Sequence, residues 1–200
     1  MALTASPYGL RPVQLLGGLP FAGAIRSYLL SANTNKPFYF GDPVGLSGGN
    51  PTALVASPTT AISANSPIGV FMGAEWQDPV RGFVNSQWFP ANGILSGATQ
   101  VRFKILDFPG VIWKIQASGP VTVDKVGMNV QLLGSSIGTG NSATGDSSVA
   151  ADAAAAVTAT FALRIVGFPN QPNSLIGDAF TDLLVVWNQG VHRFQNPTGL

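Results

Sequence analysis

The sequence predicts a mainly β fold, built as an antiparallel β-sandwich or barrel-like body with an extended N-terminal arm and long surface loops. Two observations carry this prediction. The 24 glycines and 15 prolines among 200 residues interrupt the chain too often for long helices. Several of the segments between these breaks alternate apolar and polar residues with a period of two, as half-buried strands do.

The clearest alternation lies between residues 99 and 117, which are predicted to form a pair of strands. Val101, Phe103 and Ile105 alternate with basic residues, and the pattern resumes at Val111. The intervening segment 107–110 contains a proline and a glycine. It is typical of a turn, because proline fixes one backbone dihedral and glycine accepts a positive one.

The other elements are assigned in the same way. Residues 157–166 alternate over ten positions, which predicts a strand with one buried face. The alanine-rich segment 150–156 favours one short helical turn. Segments 47–65, 77–98 and 134–148 are typical of connections. Shorter strands are predicted at 24–30, 38–44, 68–76, 121–126, 129–133 and 182–188.

The first 23 residues are predicted to form an extended arm, and residues 24–200 a single β-rich body. The arm mixes aromatic residues with prolines and a pair of glycines, so regular structure is not expected over most of it. It can lie against another subunit or pack on its own domain, and the sequence leaves both open. The candidate interface residues in it are Tyr8, Leu10, Arg11, Pro12, Leu19 and Phe21.

Composition restricts the function more than any motif does. The chain contains no cysteine, which excludes disulfides, thiol nucleophiles and cysteine-rich zinc sites and fits folding in a reducing cytosol. The formal net charge is +1 and the ten basic residues are scattered, so no nucleic-acid partner is expected.

Every apolar run is interrupted well before the ~18 residues that a membrane helix requires, and no secretory signal is expected. A mean hydropathy of +0.28 with so little charge indicates apolar surface hidden on a partner.

The sequence contains three groups of residues with possible chemical roles, and none of them predicts an enzyme, a cofactor or a metal site. His192 is the only imidazole, and its sequence neighbours include no carboxylate to orient it. Asp178 and Asp182 lack the spacing of a calcium loop. The best sugar-binding or hydrolase-like cluster contains two acids and two tryptophans, although a polar loop anchored by buried aromatics explains it more simply. Its members are Glu75, Trp76, Asp78 and Trp88.

Several ordered phrases extend over most of the chain, and they carry glycine, proline and aromatic signatures. Through them the sequence resembles capsid decoration (cement) proteins of tailed bacteriophages, particularly those of short-tailed cyanophages, which are encoded beside the major capsid gene. The phrases lie at residues 7–13, 17–23, 40–44, 69–73, 126–129, 177–180 and 185–188.

The resemblance implies a small β-structured subunit, often trimeric, that sits on the outer capsid surface and clamps capsomers. It implies the major capsid protein and further copies of the chain as partners. It also implies the virion as location, after synthesis in the host bacterial cytoplasm. In such proteins an extended terminal arm commonly reaches a neighbour. The alternatives are a glycan-binding module of the tail or capsid surface, and a minor head or tail structural protein.

Overall fold

The computed structural model of the protein describes residues 4–47, 49–53, 67–159 and 161–188. The fold is mainly β, with 46% strand and 4% helix, and its sheets are antiparallel, which confirms the predicted fold class; a sandwich-like arrangement is consistent with it. Two short 3₁₀ helices occur in the described residues, at Val123–Lys125 and Gly134–Ser136. The strands of the described residues are β1 (Arg11–Leu15), β2 (Ile25–Leu29), β3 (Phe38–Tyr39), β4 (Pro43–Ser47), β5 (Asn50–Ala53), β6 (Pro67–Asp78), β7 (Gly82–Ser86), β8 (Trp88–Phe89), β9 (Thr99–Leu106), β10 (Val111–Gln116), β11 (Asn129–Val130), β12 (Gly140–Asn141), β13 (Asp146–Ser147), β14 (Leu163–Gly167) and β15 (Asp182–Trp187).

The first large sheet has five strands in the order β1-β10-β15-β14-β11. Its inner face carries the alternating apolar residues of β10, β14 and β15, and these side chains form the first core around the fully buried Trp113. Val70 of β6 and Leu106 of β9 belong to this core although they lie on the other large sheet. The two sheets therefore share one layer of buried side chains.

The second large sheet has the strand order β2-β9-β6-β4-β5, and β7 pairs with the far half of β6. Its own core is aromatic, with the rings of Phe38, Phe71 and Phe89 each 4.9 to 5.2 Å from Phe103 in edge-to-face contacts. The outer strands of the sheet approach each other at one end, where the Ser31 backbone N–H donates to Asn50 Oδ1 at 2.8 Å. This sheet is strongly curved and encloses its aromatic core.

The predicted pairing of the strands around segment 107–110 is wrong, although both strands are present. β9 pairs with β2 and β6 of the second sheet, whereas β10 pairs with β1 and β15 of the first. Segment 107–110 therefore carries the chain from one sheet to the other. The apolar faces of the two strands enter different cores, because Phe103 belongs to the second and Trp113 to the first.

Several further assignments differ from the structure. The predicted connection 47–65 contains β5, 77–98 contains β7 and β8, and 134–148 contains β12 and β13. Residues 157–159, 161 and 162 are not strand, and the observed strand β14 begins only at Leu163 and ends at Gly167. Residues 121–126 contain a 3₁₀ turn, with Val123 62% exposed. The predicted helical turn at 150–156 is replaced by extended backbone, in which the fully buried Ala151 bridges to Ala117 and Leu132. Here packing of small side chains between strands overrides the helix propensity of alanine.

The N-terminal segment divides into two parts. Residues 4–15 lie on the body, since Leu10 is fully buried in the first core and the strand that follows pairs with β10. This part follows the alternative in which the segment packs on its own domain. Residues 16–27 are exposed except for the half-buried Phe21.

Candidate protein-protein interface

An exposed turn follows β1 and carries the large apolar side chains of Leu16 and Leu19. Gly17 and Gly18 both have positive φ, +90° and +79°, which favours glycine at these two positions. The chain reverses there, and the Leu15 backbone N–H donates to the Leu19 carbonyl at 2.8 Å. A methyl group added at either glycine would meet no atom within 4 Å, so the turn projects into open space.

The turn is anchored to segment 107–110 on the adjacent part of the chain. The Leu16 backbone N–H donates to the Gly110 carbonyl at 2.7 Å. The Phe108 ring lies over Gly110, because a Cβ built on this glycine would be 2.7 Å from the ring. Ile25, at the start of β2, pairs in register with Leu106, which directly precedes the same segment. These contacts bring separate parts of the chain to one end of the molecule.

Four large apolar side chains at this end are largely exposed, and we call them the tip surface. Leu16 is 53% exposed, Leu19 62%, Ile25 51% and Phe108 43%. Single exposed leucines are common on proteins, whereas grouped ones mark interaction sites. The tip surface can therefore bind an apolar partner surface.

The structure separates the six residues of the predicted N-terminal interface. Leu19 belongs to the tip surface, and the half-buried Phe21 packs against the first core. Pro12 of β1 pairs with Trp113 of β10, and Leu10 has no exposed area. Only Leu19 of these apolar residues presents most of its side chain to a partner.

The two remaining residues of that set make polar contacts within the chain. The Tyr8 hydroxyl donates to Asp182 Oδ1 at 2.9 Å, and the Lys114 ammonium lies 5.0 Å from the Tyr8 ring centroid. Burial and the Asp182 carboxylate raise the pKa of Tyr8. Arg11 pairs with Asp146, and the hydrogen bond from Arg11 lowers the pKa of that carboxyl. Both side chains fasten the N-terminal segment to the body.

A buried carboxyl group lies where the N-terminal segment crosses the β3-β4 turn. Asp42 is 2% exposed, and it accepts hydrogen bonds from the Ser147 hydroxyl and, at 2.9 Å, from the Tyr39 backbone N–H. Burial raises the pKa of Asp42 to about 7, and the two hydrogen bonds offset only part of this effect. Next to it, the Leu10 backbone N–H donates to the Gly41 carbonyl at 2.9 Å. Asp42 therefore lies at the contact that attaches the N-terminal segment to the β3-β4 turn.

The four residues of the predicted sugar-binding cluster do not share one surface. Trp76 is only 4% exposed and packs edge-to-face on Phe89 at 5.3 Å. Glu75 makes a 3.2 Å ion pair with Lys104. Asp78 accepts the backbone N–H groups of the β6-β7 turn. Trp88 stacks on Tyr39 with 6.3 Å between ring centroids. Each side chain thus has a structural contact of its own.

The remaining chemical candidates are placed as follows. Asp178 accepts the Leu175 backbone N–H at 2.9 Å, and Asp182 holds Tyr8 and Gln171. Within the described residues, no three side chains of histidine, cysteine, aspartate or glutamate group as a metal site. His192 lies outside the described residues.

A second exposed apolar area was not predicted from the sequence, and we call it the loop surface. It consists of Val123, Val126, Leu175 and Ile176, which are 62%, 44%, 54% and 50% exposed. Two loops carry it, and the Gly177 backbone N–H joins them by donating to the Val121 carbonyl at 3.0 Å. The signal in the sequence was an adjacent leucine and isoleucine between Asn173 and Gly177, but a pair of apolar residues does not reveal whether it is buried.

No protein-family model, curated protein or solved structure matches the chain. Among the described residues, no helix has the length and apolarity needed to cross a membrane.

Proposed function

We propose that the protein is a capsid decoration, or cement, protein that binds the outside of a shell built from the major capsid protein. In this role it clamps capsomers as a homotrimer and is part of the virion. The observation that carries the proposal is the tip surface, where four large apolar side chains remain 43% to 62% exposed at one end of the subunit. The resemblance of the ordered sequence phrases supports the same role.

The tip surface also indicates how strongly one subunit can bind. Complete burial of a large apolar side chain contributes about 1.5–3 kcal/mol, so these half-exposed side chains contribute about 1 kcal/mol each. Four of them give about 4 kcal/mol before the cost of association, which is itself about 4–15 kcal/mol. A single tip contact is therefore too weak to hold a subunit on a shell.

Multiple contacts overcome this weakness. If several copies are joined, binding of the first makes each later contact intramolecular, and the apparent affinity rises by about 10²–10⁴. A trimer that contacts several capsomers has this advantage, and a monomer does not. The proposal therefore requires both self-association and shell binding.

The test is co-sedimentation with empty shells assembled from a major capsid protein of the short-tailed phages whose decoration proteins the sequence resembles. We expect the wild-type protein to pellet with the shells at a fixed ratio. Leu19→Asp should bind about tenfold more weakly or worse, because it removes apolar burial and places a carboxylate in the contact. Val80→Asp is the matched control, because Val80 is 91% exposed in the β6-β7 turn, away from the tip surface. No wild-type protein in the pellet, or equal loss for both variants, would contradict the proposal.

A further inference from the structure

We propose that a polar cleft beside the β4-β5 hairpin binds a single sugar unit that carries a carboxylate. The cleft lies between the chain segment 32–36 on one side and residues of β4 and β5 on the other, and its volume is about 230 Å³. None of the four residues of the predicted sugar-binding cluster lines it. The inference goes beyond the proposed function and does not rest on it, because no residue of the tip surface lines this cleft.

The side chains that line the polar cleft suit a hydroxylated anion. Lys36 supplies the only charge among them, and no carboxylate is present among these described residues. The amides and hydroxyls beside it belong to residues such as Asn33, Thr34, Asn35 and Thr52. Groups of this kind both donate and accept hydrogen bonds, as the hydroxyls of a sugar require. A cation surrounded by them can bind a carboxylate together with its neighbouring hydroxyls.

The Lys36 ammonium is available to an anion. Lys36 forms no ion pair with the part of the chain that the structure describes, whereas Lys104, for example, is paired with Glu75. The aliphatic part of the Lys36 side chain lies on Gly138, because a Cβ built on this glycine would be 3.0 Å from Lys36 Cδ. This contact restricts the directions that the side chain can take. Less conformational freedom is therefore lost when a ligand binds.

Thr34 provides a second, independent observation. Its hydroxyl oxygen is buried and has no hydrogen-bond partner among the described residues. A buried polar group without a partner destabilises the protein, and a ligand hydroxyl that bonds to it removes this penalty. The backbone at this position is held in place, because the Asn92 N–H donates to the Thr34 carbonyl at 2.7 Å. Asn92 is in turn held by Asn33, whose side-chain amide donates to Asn92 Oδ1 at 2.8 Å.

The two walls of the polar cleft are joined by hydrogen bonds. The Ser31 backbone N–H and hydroxyl both donate to Asn50 Oδ1, at 2.8 and 2.7 Å. The cleft volume of about 230 Å³ is below the roughly 300–1,000 Å³ of sites for drug-sized ligands. One sugar unit therefore suits the cleft better than an oligosaccharide does. A ligand of this size makes few contacts, so we expect a dissociation constant in the millimolar range.

The test is NMR titration of the full chain with three probes, which are glucuronate, glucose and inorganic phosphate. We expect saturable binding of glucuronate. Binding of glucose, which lacks the carboxylate, and of phosphate, which lacks the carbon-bound hydroxyls, should be about tenfold weaker. Lys36→Gln should weaken glucuronate binding about tenfold and leave glucose binding unchanged. Lys125→Gln is the matched control, because it removes a cation that does not line the cleft.

Thr34→Val separates a ligand-binding role of the hydroxyl from a structural one. The substitution keeps nearly the same shape and removes the hydroxyl. Glucuronate binding should weaken about threefold or more, whereas the melting temperature of the ligand-free protein should not fall, because an unpaired buried group has been removed. A hydroxyl that served only the fold would give the opposite pair of results.

Several outcomes would overturn the inference. These are an absence of saturable glucuronate binding, equal affinity for glucose, and unchanged glucuronate affinity in Lys36→Gln. Phosphate that binds as tightly as glucuronate would reduce the cleft to a general anion site and overturn the sugar assignment. A Thr34→Val variant that melts at a lower temperature and binds glucuronate as tightly as the wild type would do the same. Failure of the proposed function is distinct, because it concerns co-sedimentation with shells and leaves these titrations intact.

Discussion

Replacing Asp42 by asparagine should remove a pH dependence of folding stability that the wild-type protein shows between pH 5 and pH 8. The Asp42 side chain is buried without a cationic partner among its described contacts, which are the Ser147 hydroxyl and the Tyr39 backbone N–H. Burial therefore raises the pKa of Asp42 from 3.8 to about 7. Asparagine has nearly the same shape and does not ionise.

The direction of the effect follows from proton binding. Between pH 3.8 and about 7 the folded protein keeps the Asp42 proton, whereas the unfolded chain releases it. The unfolded state then binds fewer protons, so the free energy of unfolding falls as the pH rises and becomes constant above about pH 7. Two pH units at about 1.4 kcal/mol each predict a loss of about 3 kcal/mol between pH 5 and pH 8.

Other perturbed groups titrate outside this interval. The hydrogen bond from Arg11 lowers the pKa of Asp146, so the stability it contributes is lost only below about pH 4. The raised pKa values of Tyr8 and Tyr28 affect stability only above about pH 10. Histidine is the side-chain type that ordinarily titrates within this interval, and His192→Gln is therefore the control variant.

The measurement is urea unfolding of wild-type protein, Asp42→Asn and His192→Gln at pH 5 and pH 8. We expect the wild-type protein and His192→Gln to lose about 3 kcal/mol, and Asp42→Asn to change by less than about 1 kcal/mol. Equal wild-type stability at both pH values would refute the reasoning. A slope in Asp42→Asn that matches the wild type would assign the pH dependence to another group.

Three further substitutions test the packing of the described structure. Leu10→Ala should lower the free energy of unfolding by about 2–5 kcal/mol, because Leu10 is fully buried in the first core; a loss below about 1 kcal/mol would show that the N-terminal segment is not part of it. Gly69→Ala should lower the free energy of unfolding by about 1–3 kcal/mol, because the added Cβ would lie 2.3 Å from the Leu106 carbonyl oxygen. An unchanged melting temperature would count against this close approach. Arg11→Gln should lower the free energy of unfolding by at most about 1 kcal/mol, because the ion pair between Arg11 and Asp146 is partly exposed. The pKa of Asp146, measured by NMR, should rise in this variant. A pKa that stays low would show that Arg11 does not cause the shift.

Alternation predicted β9 and β10 well because it records which face of a strand is buried, but it placed the start of β14 six residues too early. The alternation that marked β9 and β10 appears in the structure as inward-facing Phe103 and Trp113. The pairing of those strands could not be predicted, because alternation carries no information about the partner strand. A four-residue connection at 107–110 is compatible with a hairpin and equally with a crossing between two sheets.

Helix and strand propensities gave wrong predictions where tertiary packing decides the backbone conformation. Alanine favours a helix in isolation, yet Ala151 is fully buried between extended segments because a small side chain fits there. Val123 has the β-branched side chain typical of a strand, but it lies in an exposed 3₁₀ turn. Propensity alone did not predict that Ala151 lies in buried extended backbone and Val123 in an exposed turn.

The candidate interface was predicted only in part, for a similar reason. Leu19 was predicted as an interface residue and lies on the tip surface, whereas Phe108 was not, because it joins the tip surface through a contact that depends on the tertiary fold. Leu10 and Leu19 have the same side chain and lie in the same segment, but one is fully buried and the other is 62% exposed. Exposure is a property of the folded chain, and so the residues of an apolar surface cannot be read from the sequence alone.

The most direct test of the proposed role is cryo-electron microscopy of shells with and without this protein. We expect difference density of β-rich subunits on the outer surface of the shell, in groups of three. Density inside the shell or confined to the tail, or no density at all, would contradict it.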